Sequence, residues 1–235
     1  MSDSLQQQRQ RLQGIGMGFL AGWVDTLGFI ALFGLFTAHV TGNFVLIGVA
    51  LADASKASIL LKFLAFPAFV AGVAVTRLLV LALEARQRSP MRPTLLLQLA
   101  LLCGFMLCGL LAAPIGAAVT PMAMAAGLLG TAAMGVHSAA SRLLLTQLAP
   151  TSMMTGNVTQ LVIDGVDFLR GAGGATAAKC GKFFWPVAGF GVGAIGAAFA
   201  YLAFGFWALL APIAILCIEL ARPDAAAPSA ASRTA

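Results

Sequence analysis

Residues Phe63–Leu83 read FLAFPAFVAGVAVTRLLVLAL, a run of 21 residues whose single charge is Arg77. A helix of that length rises about 30 Å, the thickness of bilayer hydrocarbon. Comparable apolar blocks run over Ile15–Phe36, Thr94–Ala113, Met122–Leu145, Phe183–Phe204 and Phe206–Leu220. The whole chain carries 60% hydrophobic and 9% charged residues, against about 25% charged in a soluble domain. So few charges cannot cover a water-facing surface, and the outer face must meet lipid. The expectation is an all-α membrane protein with about six spanning helices.

Two further apolar stretches, Thr41–Ala52 and Thr155–Phe168, hold about a dozen residues each. They are short for a crossing and suit half-helices. Charge supports that assignment. With six spans, Arg9, Arg11, Arg86, Arg88, Arg92, Arg142, Arg170, Lys179, Lys182 and Arg222 fall on one side, and the uncharged loop at 114–121 falls on the other. Only Lys56 and Lys62 break the positive-inside pattern, offset in part by Asp53. Were both short stretches to span, the Arg86–Arg92 cluster would change sides. The formal charge of +6 therefore reflects topology and gives no reason to expect nucleic acid. The placement implies that both termini are cytoplasmic.

Domain organisation is simple. A polar stub at 1–13 precedes one transmembrane domain at 14–221, and an Ala/Ser/Pro-rich tail at 222–235 is expected to be disordered. Cys103, Cys108, Cys180 and Cys217 lie in or beside apolar blocks without a Cys-x-x-Cys spacing or a neighbouring His. They read as small buried hydrophobes, so neither a metal nor a cofactor is expected.

Asparagine occurs only at Asn43 and Asn157, each time within Thr-Gly-Asn: Thr41-Gly42-Asn43 and Thr155-Gly156-Asn157. Each copy opens a short stretch after a long helix. Downstream, Phe66-Pro67 with Gly72 matches Trp185-Pro186 with Gly191, and Lys62-Phe63 and Lys182-Phe183 precede them, one residue out of step. The chain thus reads as a duplication, with one repeat at about 14–113 and the other at about 122–221. Three spans per half is an odd number, so the halves are expected to be inverted. Inverted repeats with broken helices recur in transporters, whose solutes bind where the half-helices meet.

The stretch Ala21-Gly22-Trp23-Val24-Asp25, then Gly28-Phe29, then Thr41-Gly42-Asn43 resembles the YoaK family of bacterial membrane proteins. The resemblance extends from about Gly14 to Leu220. It implies a location in the cytoplasmic membrane and supplies no activity.

Several residues stand out as candidates for a solute or ion pathway. The two Thr-Gly-Asn motifs offer a capping hydroxyl, a site of close backbone approach, and an amide with both donors and an acceptor. Facing each other, such helix ends would favour an anionic or polar solute; the alternative is that they only satisfy broken backbone. Asp25 is the acid deepest in a spanning helix. It lies seven residues after Gly18, nearly on the Gly14/Gly18/Gly22 stripe, and so faces a neighbour or cavity. It could couple transport to protons, or could pair with Arg77 or backbone. His39 could relay a proton or bond a carbonyl. Gln160 and Asp164 share a helix face and extend a polar path, or they sit with Asp167 and Arg170 in the interface. His137-Ser138 lacks the setting of a nucleophile, and Gly189, Gly191, Gly193 and Gly196 read as a packing seam. An enzyme is not expected. The leading expectation is a small-solute transporter or channel, and the alternative is a membrane scaffold or subunit. Homo-oligomerisation stays open.

Overall fold

The structure, a computed structural model, describes residues 3–52, 58–171 and 173–222. All regular elements among them are helical. They are α1 (Asp3–Ala31), α2 (Gly42–Ala52), α3 (Ile59–Glu84), α4 (Met91–Ala112), α5 (Pro121–Leu143), α6 (Met154–Leu169), α7 (Gly174–Phe204), a 3-10 turn (Gly205–Leu209) and α8 (Leu210–Ala221). Lys56 and the tail from residue 223 lie outside the described residues.

The polar stub is not separate from α1. Its Gln, Arg and Leu residues are good helix formers, and no Gly or Pro breaks the chain before Gly14. Helix α1 instead stops early, at Ala31 rather than Phe36. Phe33 (φ 56°) and Gly34 (φ 72°) adopt the left-handed conformation that ends helices. At α5, the Thr120 hydroxyl accepts the Ala123 N–H at 3.2 Å and Pro121 fills the first turn.

Two helix pairs dominate the packing. A Cβ on Gly18 would lie 2.3 Å from the Pro186 carbonyl oxygen, and one on Gly22 would lie 2.2 Å from that of Phe190. In return, a Cβ on Gly189 or Gly193 would lie 2.5 or 2.2 Å from the carbonyl oxygens of Ile15 and Phe19. Backbones this close leave room only for glycine. The expected seam holds at Gly189, Gly193 and Gly196, whereas Gly191 faces open space. The contact numbers rise together, so α1 and α7 run parallel. The pair α3 and α5 repeats the device. A Cβ on Gly72 would lie 2.3 Å from the Ala132 carbonyl oxygen and one on Gly135 2.3 Å from that of Phe69, while Gly127 packs near Leu61. This pair is parallel too.

Helix α4 runs against α5, joining Gln98 to His137 and Gly104 to Leu129. Helix α8 runs against α1: the Trp23 indole N–H donates to the Ala208 carbonyl (2.9 Å), and Gln13 donates to Glu219 (2.9 Å). One end of the bundle therefore collects the N-terminal ends of α1, α4 and α7 and the C-terminal ends of α3, α5 and α8. The arginines and lysines outside the helix interiors gather at that end.

Among the described residues, five segments are long and apolar enough to cross a membrane. The last is a 44-residue run, Ala178–Ala221, which reverses at Gly205 (φ 56°). Its second arm is only a 3-10 turn and the 12 residues of α8, about 18 Å of helix. Outward-facing Leu78, Leu111, Phe199 and Leu202 form an apolar outer surface.

Candidate functional site

The connection from α1 to α2 folds back onto Asp25. The Asp25 carboxylate is 4% exposed. Its Oδ1 accepts the N–H of Ala38 at 2.6 Å, the N–H of His39 at 3.3 Å and the Thr37 hydroxyl at 3.4 Å. Its Oδ2 lies 2.6 Å from His39 Nδ1. The His39 ring remains 36% exposed and edges against the rings of Phe36 and Phe190. A buried carboxylate thus reaches the surface through one imidazole. Arg77 has no part in this: it is exposed on α3. Asp25 also sits six residues past Phe19, the centre of the Gln7–Ala31 span, or about 9 Å toward one end.

The bond to Asp25 and its negative charge raise the His39 pKa, against the opposing effect of burial. A group whose folded pKa exceeds its unfolded value of about 6.5 contributes stability below that value. The contribution is lost as pH rises through the folded pKa. Protection of residues 33–41 from hydrogen exchange, relative to the intrinsic rate at each pH, is therefore expected to be greatest in mild acid and to fall as His39 deprotonates. A flat profile would mean that the pair does not hold the loop.

The two asparagines act alike. Asn43 Nδ2 donates to the Phe36 carbonyl at 2.8 Å, and its Oδ1 accepts the Phe36 N–H at 3.0 Å. Asn157 Nδ2 donates to the Pro150 carbonyl at 2.8 Å. In both halves the partner is seven residues upstream; proline, lacking an N–H, removes the second bond at Pro150. Both amides are buried and spent on backbone. Thr41, Thr155 and Gly156 are exposed and Gly42 is half-buried. The capping role expected of Thr155 is not seen, because α6 starts one residue before it, with no side-chain cap. Nor do the motifs meet near mid-membrane. Among the described residues α2 packs on α3 and α6 on α7, and the two short helices share no contact. A corollary is that Asn43→Ala should destabilise by roughly 2 kcal/mol and Asn157→Ala by about 1 kcal/mol, one or two hydrogen bonds each. Melting in detergent measures both.

A second polar cluster, in the other half, was not anticipated. His137, fully buried on α5, lies 3.2 Å from Gln98 Nε2 and 3.0 Å from the Thr151 hydroxyl. Thr151 also bonds Ser141, through its hydroxyl (3.2 Å) and its N–H (3.0 Å). Thr94 Oγ1 and Gln98 Oε1 are buried nearby without a partner. Ser138 instead bonds Ser152 at 3.0 Å. The signal that could have found both clusters is a longer motif. Thr37 and Thr151 each stand six residues before the repeated Asn, giving Thr-x-x-x-Thr-Gly-Asn twice. In the first half this Thr meets an acid, and in the second it meets His137 and Ser141.

Gln160 donates to Asp164 Oδ1 at 2.9 Å, as their shared face implies, while the buried Asp164 Oδ2 has no partner. Lys62 is buried, and its Nζ donates to the Phe33 carbonyl and the Ser58 hydroxyl, each at 2.6 Å. Its charge is consumed inside the fold, which explains its place on the otherwise neutral end. Two clefts open on the surface. One, of about 380 Å³, is lined by Leu60, Leu61, Val119 and Met124. The other, of about 470 Å³, lies at the basic end between α1 and α7. Neither touches Asp25, Asn43 or Asn157. No group of three or more His, Cys, Asp or Glu residues able to hold a metal occurs among the described residues.

The family model described as a protein of unknown function, DUF1275, matches residues 13–221. The chain belongs to the DUF1275 family. It is also similar to the UPF0700 transmembrane protein YoaK of Bacillus subtilis (strain 168), at 37% identity over 60 residues. That stretch covers 26% of this chain and 27% of the relative. No solved structure matches. The family resemblance drawn from the Gly-Trp-Val-Asp and Thr-Gly-Asn motifs therefore stands, and its description brings no activity to these residues.

Proposed function

We propose that this DUF1275 protein is a small-solute transporter of the bacterial cytoplasmic membrane, in which the Asp25–His39 pair takes up and releases a proton. The observation that carries the reading is the 2.6 Å contact between a buried helix carboxylate and a partly exposed imidazole, placed where α1 breaks into α2. Ionisable groups inside spanning helices are costly and are usually kept for function. A carboxylate–imidazole pair can shift its proton at physiological pH.

Helix packing supports an inverted repeat. Exchanging the halves maps the α1–α7 pair onto α5–α3, both parallel and both glycine-seamed. The basic end supports cytoplasmic termini through the positive-inside rule. A scaffold role is favoured by one finding, the consumption of both Asn amides by loop backbone. Uptake of a panel of radiolabelled small solutes into proteoliposomes separates the two readings. At least one solute is expected to accumulate above empty liposomes, and accumulation of none would favour the scaffold. No catalytic step is proposed.

A further inference from the structure

The larger cleft has a composition that nothing above explains. It opens at the basic end of the bundle, between the first turns of α1, the first half of α7 and the α5–α6 connection, and has a volume of about 470 Å³. Arg11 and Lys182 line it, with Gln10 and Gln147 as further donors and Trp185 and Pro186 as its apolar wall. Its lining contains no carboxylate.

Arg11 is already oriented. Its guanidinium lies 3.5 Å over the Trp185 ring. Stacking fixes the plane of the fork and leaves its N–H edges free for an anion. Lys182 stands one residue out of step with Lys62 in the repeat, each before a Phe. Lys62 turns inward onto the Phe33 carbonyl and Ser58, and the comparable cleft at the neutral end, beside Leu61, is apolar. Lys182 stays exposed, and no acid among the described residues engages it. Of two related positions, one lysine is spent on the fold and the other is held out beside an arginine.

We infer that this cleft is a binding site for the phosphate headgroup of an anionic phospholipid. Two cations and amide donors suit a phosphodiester. A Trp, a Pro and basic side chains at one end of a helical bundle mark the depth of lipid headgroups. Leu12 and Phe184, on the same two helices, are exposed apolar side chains that acyl chains could meet. A soluble phosphate compound would use the same donors but not that surface.

The test is native mass spectrometry of the full chain in detergent, titrated with phosphatidylglycerol or phosphatidylcholine. Phosphatidylglycerol is expected to give one saturable adduct, and phosphatidylcholine none. Removing both charges in Arg11→Gln/Lys182→Gln should weaken that adduct on the order of 30-fold, at about one headgroup contact each. Arg86→Gln/Arg88→Gln removes the same charge from exposed positions elsewhere at the basic end and should leave the adduct unchanged. Unaltered melting of both variants shows that they fold. Equal weakening in the two variants, or equal binding of the two lipids, overturns the site. Displacement by glycerol 1-phosphate at lipid-like concentrations overturns the lipid as occupant.

Discussion

Valine at Gly22 is expected to break the bundle. Its Cβ would sit 2.2 Å from the Phe190 carbonyl oxygen, and the atoms in the way are helix backbone with no rotamer to change. The α1–α7 pair would have to separate, losing the reciprocal contacts at Gly18, Gly189 and Gly193. The expected loss is roughly 3 kcal/mol, the upper range for overpacking, seen as a lower melting temperature or aggregation in detergent. Gly191 provides the control, since it lies in the same run of α7 glycines and a Cβ there meets nothing within 4 Å. Gly191→Val should melt like the parent. Equal melting of the two variants would refute the parallel packing of α1 on α7.

The second large effect is expected at Asp25. Asp25→Ala removes the acceptor for the Ala38 and His39 N–H groups and the partner of the His39 ring. Breaking such a buried pair should cost roughly 3 kcal/mol, read as a fall in melting temperature with faster proteolysis of the α1–α2 connection. Asp25→Asn keeps an acceptor oxygen and the side-chain shape, so the fold should survive, while the group can no longer exchange a proton. The contrast separates a merely structural carboxylate from one that also handles protons. If Asn behaves as badly as Ala, the charge itself holds the loop.

How much of this could be read in the sequence depends on the distance over which each feature is decided. Phe63–Leu83 announces a spanning helix because length and apolarity suffice. The short helices α2 and α6 are legible for the same reason, and the Gly18/Gly22 stripe points to a close neighbour. What the sequence hides is where the chain returns. Asp25 pairs with His39, 14 residues away, because Phe33 and Gly34 turn the chain back, and no periodicity encodes that turn. Arg77 seemed a fair partner for Asp25 by helix depth, yet it lies on the exposed side of α3. The Asn residues were visible as a repeat, but their consumption by the Phe36 and Pro150 carbonyls was not. Thr37 and Thr151 were overlooked because threonine is unremarkable in an apolar chain until its spacing to Asn43 and Asn157 is compared.

The proposed transport function depends on Asp25 and His39 handling a proton as a pair. Its most direct test is proton movement in sealed proteoliposomes loaded with a pH-sensitive dye, after addition of whichever solute the uptake panel identifies. The wild-type protein is expected to change the internal pH when solute is added, and Asp25→Asn is expected to abolish that change while remaining folded. A solute-driven pH change of the same size in Asp25→Asn would contradict the account.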